Sequence, residues 1–143
     1  MLGIEPDIIA NFVEQGDVRI VFMPVLNHGD PSTFATAAAN CLGQQDPALF
    51  WAMHAELFVN QQSLWGANRQ YFTDVAVSLG GNGTAFAECY DSGSGVSSAL
   101  ALDAIRKERG IWTQPVFDIN GSLYFGAASY DIFAQVINFE LGN

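Results

Sequence analysis

Two cysteines, two histidines and a scatter of carboxylates are the side chains here with chemistry beyond packing. Cys41 and Cys89 lie far apart, and neither belongs to a C-x-x-C, so the local motif of a disulfide oxidoreductase is missing. Three readings of the pair stand open: small buried apolar residues, a structural disulfide pinning two helices, or a catalytic pair. A disulfide closing so long a loop would stabilise by about 4 kcal/mol on the chain-entropy model. Catalysis by Cys41 with His54 would need an exposed, activated thiol, whereas Cys41 falls on an alanine-rich face expected to point inward. His54 lies mid-helix beside Trp51 and Phe58 and reads as a helix-packing histidine. His28 lies in the polar loop Asn27-His28-Gly29-Asp30 and reads as solvated. Two histidines and singly scattered acids give no metal-ligand pattern, so no metal and no cofactor is expected. Gly80-Gly81-Asn82-Gly83 does not match G-x-G-x-x-G, which excludes the dinucleotide fingerprint. Asn82-Gly83-Thr84 and Asn120-Gly121-Ser122 match a glycosylation sequon but read better as turns.

The chain that must position these groups has 143 residues, one domain's worth, with 50% hydrophobic and 14% charged residues. That composition is globular. Its net charge of −10 argues against nucleic acid and anionic membrane surfaces as partners. No run reaches the roughly 18 apolar residues of a membrane span. The opening Met1-Leu2-Gly3-Ile4-Glu5-Pro6-Asp7 lacks a basic n-region. As written, the chain reads as cytoplasmic, or as one whose export signal has been removed.

Apolar spacing places a short helix over 6–15 and, between Gly16 and Pro24, a β-branched run over 18–22 that predicts a buried strand. Ser32 or Asp30 should cap a helix reaching about Leu42. Asp46-Pro47 is an N-cap followed by an N1 proline and opens a helix through Asn60. Further helices follow over 69–79, from a Thr84 cap through Tyr90, and over 96–109 with Val96, Ala99, Leu100 and Ala104 inward. The segment from Asp91 to Gly95 reads as a flexible turn. Then the period changes: two apolar runs, 115–119 and 122–125, flank Asn120-Gly121, the strongest short hairpin signal. Ser129 should cap a last helix with Ile132, Phe133, Val136 and Ile137 inward. Trp65, Trp112 and Tyr124 are the aromatics expected to be partly exposed.

Three stretches, AAANCLGQQDPALFWAMHAELFVNQ, FAECYDSG and RGIWTQPVFDINGSLYFGAASYDIF, occur in the order and spacing of a known family. Together they resemble the DsbA-like branch of the thioredoxin superfamily over nearly the whole chain. The resemblance implies an α/β, incomplete thioredoxin-like fold with a helical insertion and a C-terminal β-hairpin plus helix. It implies a single DsbA-like domain over 1–143, with residues 30–92 as the insertion and 6–26 and 94–143 as the remaining core. Pro115 matches the family's cis-proline position. Trp112, Thr113, Gln114 and Pro115 are therefore the candidate groove for an extended peptide.

In the family, a central strand leads into the C-x-x-C, and this sequence holds neither. The expectation is a redox-inactive domain acting by binding or self-assembly, most simply a homodimer that completes the sheet. The alternatives are a thiol–disulfide oxidoreductase fragment or split enzyme whose C-x-x-C half is absent, and a glutathione-dependent isomerase or transferase. The relatives of the branch are often periplasmic.

Overall fold

Proline fits only the first turn of a helix, where its missing N–H is not needed. In the computed structural model, which describes residues 3–142, Pro6 lies in the first turn of α1 (Glu5–Ile8). α1 passes straight into a π-helical turn, Ile9–Val13, so the predicted helix over 6–15 is present but winds wider in its second half. Residues 18–22 carry no regular secondary structure and alternate in burial: Val18, Ile20 and Phe22 are half-buried, Arg19 and Val21 exposed. This is the period of a strand, but the segment joins no ladder. Among the described residues the sheet has two strands, β1 (Val116–Ile119) and β2 (Ser122–Phe125). The buried strand expected over 18–22 is thus corrected to a segment that is not assigned as a strand. Hydropathy sets which side of a strand faces the core, while a ladder also needs a neighbouring strand.

The hairpin forms where predicted. β1 and β2 are antiparallel in the register Val116↔Phe125 to Ile119↔Ser122. Asn120 and Gly121 both have positive φ, +50° and +95°, as a type I′ turn demands. The Asp118 carboxylate accepts the Gly121 N–H at 2.8 Å, and the Asn120 amide donates to Glu140 at 3.0 Å. α7 (Tyr130–Leu141) follows. It buries Phe133 and Ile137, while Ile132, expected inward, is exposed. Ile8, Phe12, Phe133 and Ile137 form one core, and Val18, Ile20, Phe117 and Ile119 pack against it. The Phe117 and Phe133 rings lie 4.3 Å apart.

Residues Met23–Arg109 form a second compact unit, distinct from the segments before Met23 and after Arg109. It holds α2 (Asp30–Gly43), α3 (Pro47–Val59), a 3₁₀ turn (Gln61–Trp65), α4 (Arg69–Ser78), α5 (Gly83–Ser92) and α6 (Ser94–Glu108). By contacts α6 groups with the helical block, packed on α2. Side-chain caps set the starts of three helices. Asp46 accepts from Ala48 N at 2.8 Å, as predicted, Asn68 from Tyr71 N at 3.0 Å, and Asn82 from Ala85 N at 3.0 Å. Each such cap contributes about 1 kcal/mol. Asn82 replaces Thr84 as the expected cap, and Gly29 replaces Ser32 or Asp30. Ser32 instead accepts the His28 N–H. The core of this unit centres on Leu42, Met53, Phe72 and Phe86, all fully buried. Ala35, Ala37, Ala38 and Ala39 keep α2 slim, so several helices can close on it at once. Among the described residues, no helix is long and apolar enough to cross a membrane.

Candidate functional site

The two cysteines are brought together. Cys41, in the last turns of α2, and Cys89, in α5, form a disulfide with Cα atoms 5.6 Å apart. The pair is asymmetric: Cys41 is 1% exposed, and Cys89 is half-buried. Gly95 closes over the buried sulfur. A Cβ on Gly95 would lie 2.8 Å from Cys41 Sγ and 2.6 Å from the Ala37 carbonyl oxygen, so only glycine lets α6 approach α2 this closely. The hydroxyl of Ser94 lies 3.3 Å from Cys89 Sγ and 3.4 Å from the Cys89 carbonyl oxygen. A disulfide sulfur carries no proton, so in the sulfur contact the hydroxyl is the donor. Sequence reasoning missed Ser94 and Gly95. Both fall in the stretch read as a flexible turn, where only Gly93, with φ +76°, breaks the helix. The Cys–His reading is also corrected. Cys41 is spent in the disulfide, and His54 is buried among the rings of Phe50, Trp51 and Phe58, at centroid distances of 6.1, 5.3 and 4.7 Å. His28 is exposed and meets Trp65 edge-on at 5.9 Å.

Trp112, Thr113, Gln114 and Pro115 form one loop leading into β1. Trp112 is 65% exposed, Thr113 and Gln114 are exposed, and Pro115 is half-buried. The Gln114–Pro115 peptide bond is cis, and the Pro115 carbonyl accepts the Gly126 N–H at 3.0 Å. This loop and the disulfide belong to different compact units.

The face of α6 turned to the interior is Gly95, Ala99, Asp103 and Arg106. It is not the expected Val96, Ala99, Leu100 and Ala104, and Leu100 is 55% exposed. Asp103 Oδ1 accepts from Arg106 Nε at 2.8 Å, from Arg106 Nη2, and from the Leu26 N–H at 3.2 Å. Its Oδ2 faces Lys107 Nζ at 2.6 Å. Burial alone would push the Asp103 carboxyl up. The hydrogen bonds from Lys107, Arg106 and Leu26 outweigh burial and hold it below the usual carboxylate range. This cluster ties the segment entering α2 to α6.

A family model described as Thioredoxin matches residues 2–138. The chain belongs to the thioredoxin family. Its fold is similar to the crystal structure of oxidised BdbD from Bacillus subtilis, with a TM-score of 0.81 at 24% identity, covering 99% of this chain and 78% of that one. A stretch of 56 residues is 38% identical to Disulfide bond formation protein D of Bacillus subtilis (strain 168). That stretch spans 39% of this chain and 25% of that protein, so the match covers a quarter of the relative's length. The α/β, DsbA-like thioredoxin fold expected from the three motifs is the fold observed. The expectation of a redox-inactive binding domain is overturned. The protein with the local match is named for disulfide bond formation, and the two cysteines of this chain are joined as a disulfide.

Proposed function

We propose that this chain works in thiol–disulfide exchange, as the substrate-binding and helical part of an oxidoreductase whose C-x-x-C lies on another segment. The observation that carries the redox assignment is the 38% identity over 56 residues to a protein named for disulfide bond formation. The division of labour is supported by the alternating run over 18–21. It packs on the same core as β1, yet the two share no ladder. A strand leading into a C-x-x-C would satisfy such an edge. The exposed Trp112–Gln114 loop with Pro115 is the surface proposed to receive an extended peptide, its aromatic ring supplying contact area. A disulfide between Cys41 and Cys89 fits an oxidising compartment.

The test is insulin-disulfide reduction with dithiothreitol as electron donor. The chain is assayed alone, and then with a separate polypeptide carrying a strand that leads into a C-x-x-C. Turnover that needs both components, and is lost on Cys→Ala change in the added C-x-x-C, is expected. No gain over the added polypeptide alone rejects the proposal. Light scattering over a concentration series tells whether a second copy occupies the edge instead. A stable dimer that also refuses the added segment would replace the split-enzyme reading with a self-assembled one.

A further inference from the structure

The two cysteines of the disulfide within the helical unit differ in burial. Cys41 is 1% exposed, with Gly95 packed against its Sγ, while Cys89 is half-buried beside the exposed Ser94. Attack on a disulfide goes to the sulfur that a thiolate can reach. We propose that Cys89 is the exchange sulfur of a second redox couple and Cys41 its buried resolving partner, open to small or peptide-borne thiols. The proposal stands apart from the source of the C-x-x-C in the split-enzyme reading, because it concerns this chain's own two cysteines.

The exchange balances with two external thiols. The first thiolate bonds to Cys89 Sγ, the Sγ–Sγ bond breaks, and its electron pair leaves on Cys41 Sγ, which takes up a proton from solvent. A second thiolate then attacks the external sulfur of the mixed disulfide and releases Cys89 as a thiolate. One protein disulfide is reduced and two thiols are oxidised to an external disulfide. The Ser94 hydroxyl, 3.3 Å from Cys89 Sγ, is placed to donate to the departing negative charge. Ser94 is also the first residue of α6, so this sulfur lies at the positive end of a 15-residue helix. In the oxidising direction, Cys89 makes the mixed disulfide and Cys41 closes it. Ser94 acts through Cys89 and is a positioning residue.

The intact chain is treated with reduced glutathione, acid-quenched at intervals and alkylated with iodoacetamide, and the modified peptides are weighed. Glutathione on Cys89 with carbamidomethyl on Cys41 is expected in at least tenfold excess over the reverse. Adducts on Cys41, an even split, or a bond that glutathione leaves intact in the folded protein overturn the proposal. Single-cysteine variants give a second readout that does not need the transient adduct. The Cys89 thiol of C41S should react with Ellman's reagent at least ten times faster than the Cys41 thiol of C89S. Ser94→Ala in the C41S background should slow that reaction several-fold more at neutral pH than at high pH, where the thiolate forms unaided. A uniform change across pH would assign Ser94 a merely structural part.

Discussion

The helical unit and the hairpin unit are held by different means. Among the described residues, the helical unit buries a core of ten side chains and closes it with a disulfide, a buried ion cluster and side-chain caps on three of its helices. The hairpin unit buries four and closes them with one turn and one helix, leaving residues 18–21 outside any ladder. A small core cannot do without extra fastenings, yet here the fastenings sit on the larger core. The difference teaches where the fastenings lie: the helical unit carries its own staples, whereas the hairpin unit rests on a short two-stranded ladder and one helix.

The sharpest way to break this contrast is to cut the staple. Replacing Cys41 and Cys89 together by alanine should lower stability by about 4 kcal/mol on the chain-entropy model, the sequence separation being 48 residues. A urea titration with and without reductant measures it. The wild type in reductant should approach the double variant, and a difference below about 1 kcal/mol would leave the helical unit held by packing alone.

Next in size is the ion cluster. Asp103→Ala takes from the buried guanidinium of Arg106 the carboxylate that its Nε and Nη2 both donate to, and should cost about 3 kcal/mol. The pH dependence has a definite sign. Folding depresses the Asp103 carboxyl, so its contribution is complete above the unfolded-state value. It is lost as the pH falls through the lower, folded-state value. Wild type and Asp103→Ala should therefore converge under strongly acidic conditions, and thermal melts across the acid range check it. A gap that stays constant with pH would mean that the loss comes from packing and not from charge.

What the sequence made legible follows the same divide between local and distant causes. The hairpin was readable because Asn120 and Gly121 carry its geometry in their own backbone preferences. Asp46-Pro47 was readable because a cap and an N1 proline need only each other. The interior of α6 was misread because hydropathy sends Asp103 and Arg106 to solvent, whereas their mutual ion pair, Lys107 and the distant Leu26 N–H together compensate their burial. The cysteine pair stayed open among three readings because pairing depends on Cα separation, which no spacing along the chain reports. Ser94 and Gly95 were hidden inside a turn signal, although glycine at a helix crossing gives the same letter as glycine at a loop.

A smaller effect tests the hairpin unit at its one local fastening. Gly121→Ala forces an L side chain to φ +95° and should cost about 1 kcal/mol, read as a shift in the urea midpoint. Asn120→Gly at φ +50° should change stability by less, because glycine accepts that conformation freely. Equal losses from the two variants would mean that the Asn120 amide bond to Glu140, and not the turn backbone, fixes the hairpin.

The smallest expected effect bears on what covers the hairpin unit. α7 is apolar on two faces: Phe133 is 3% exposed and Ile137 6%, while Phe139 is 79% exposed and Ile132 53%. In a single chain the outward side chains lose little water on folding. Phe139→Ser should then alter stability by no more than about 0.5 kcal/mol. It should also leave the sizing-column mass unchanged across a concentration series. If a second copy or an added strand-bearing segment covers this helix, the same substitution removes buried area at that contact. The loss of stability would then grow with protein concentration, as mass action requires. A concentration-independent, near-zero effect would leave the outer face of α7 to solvent.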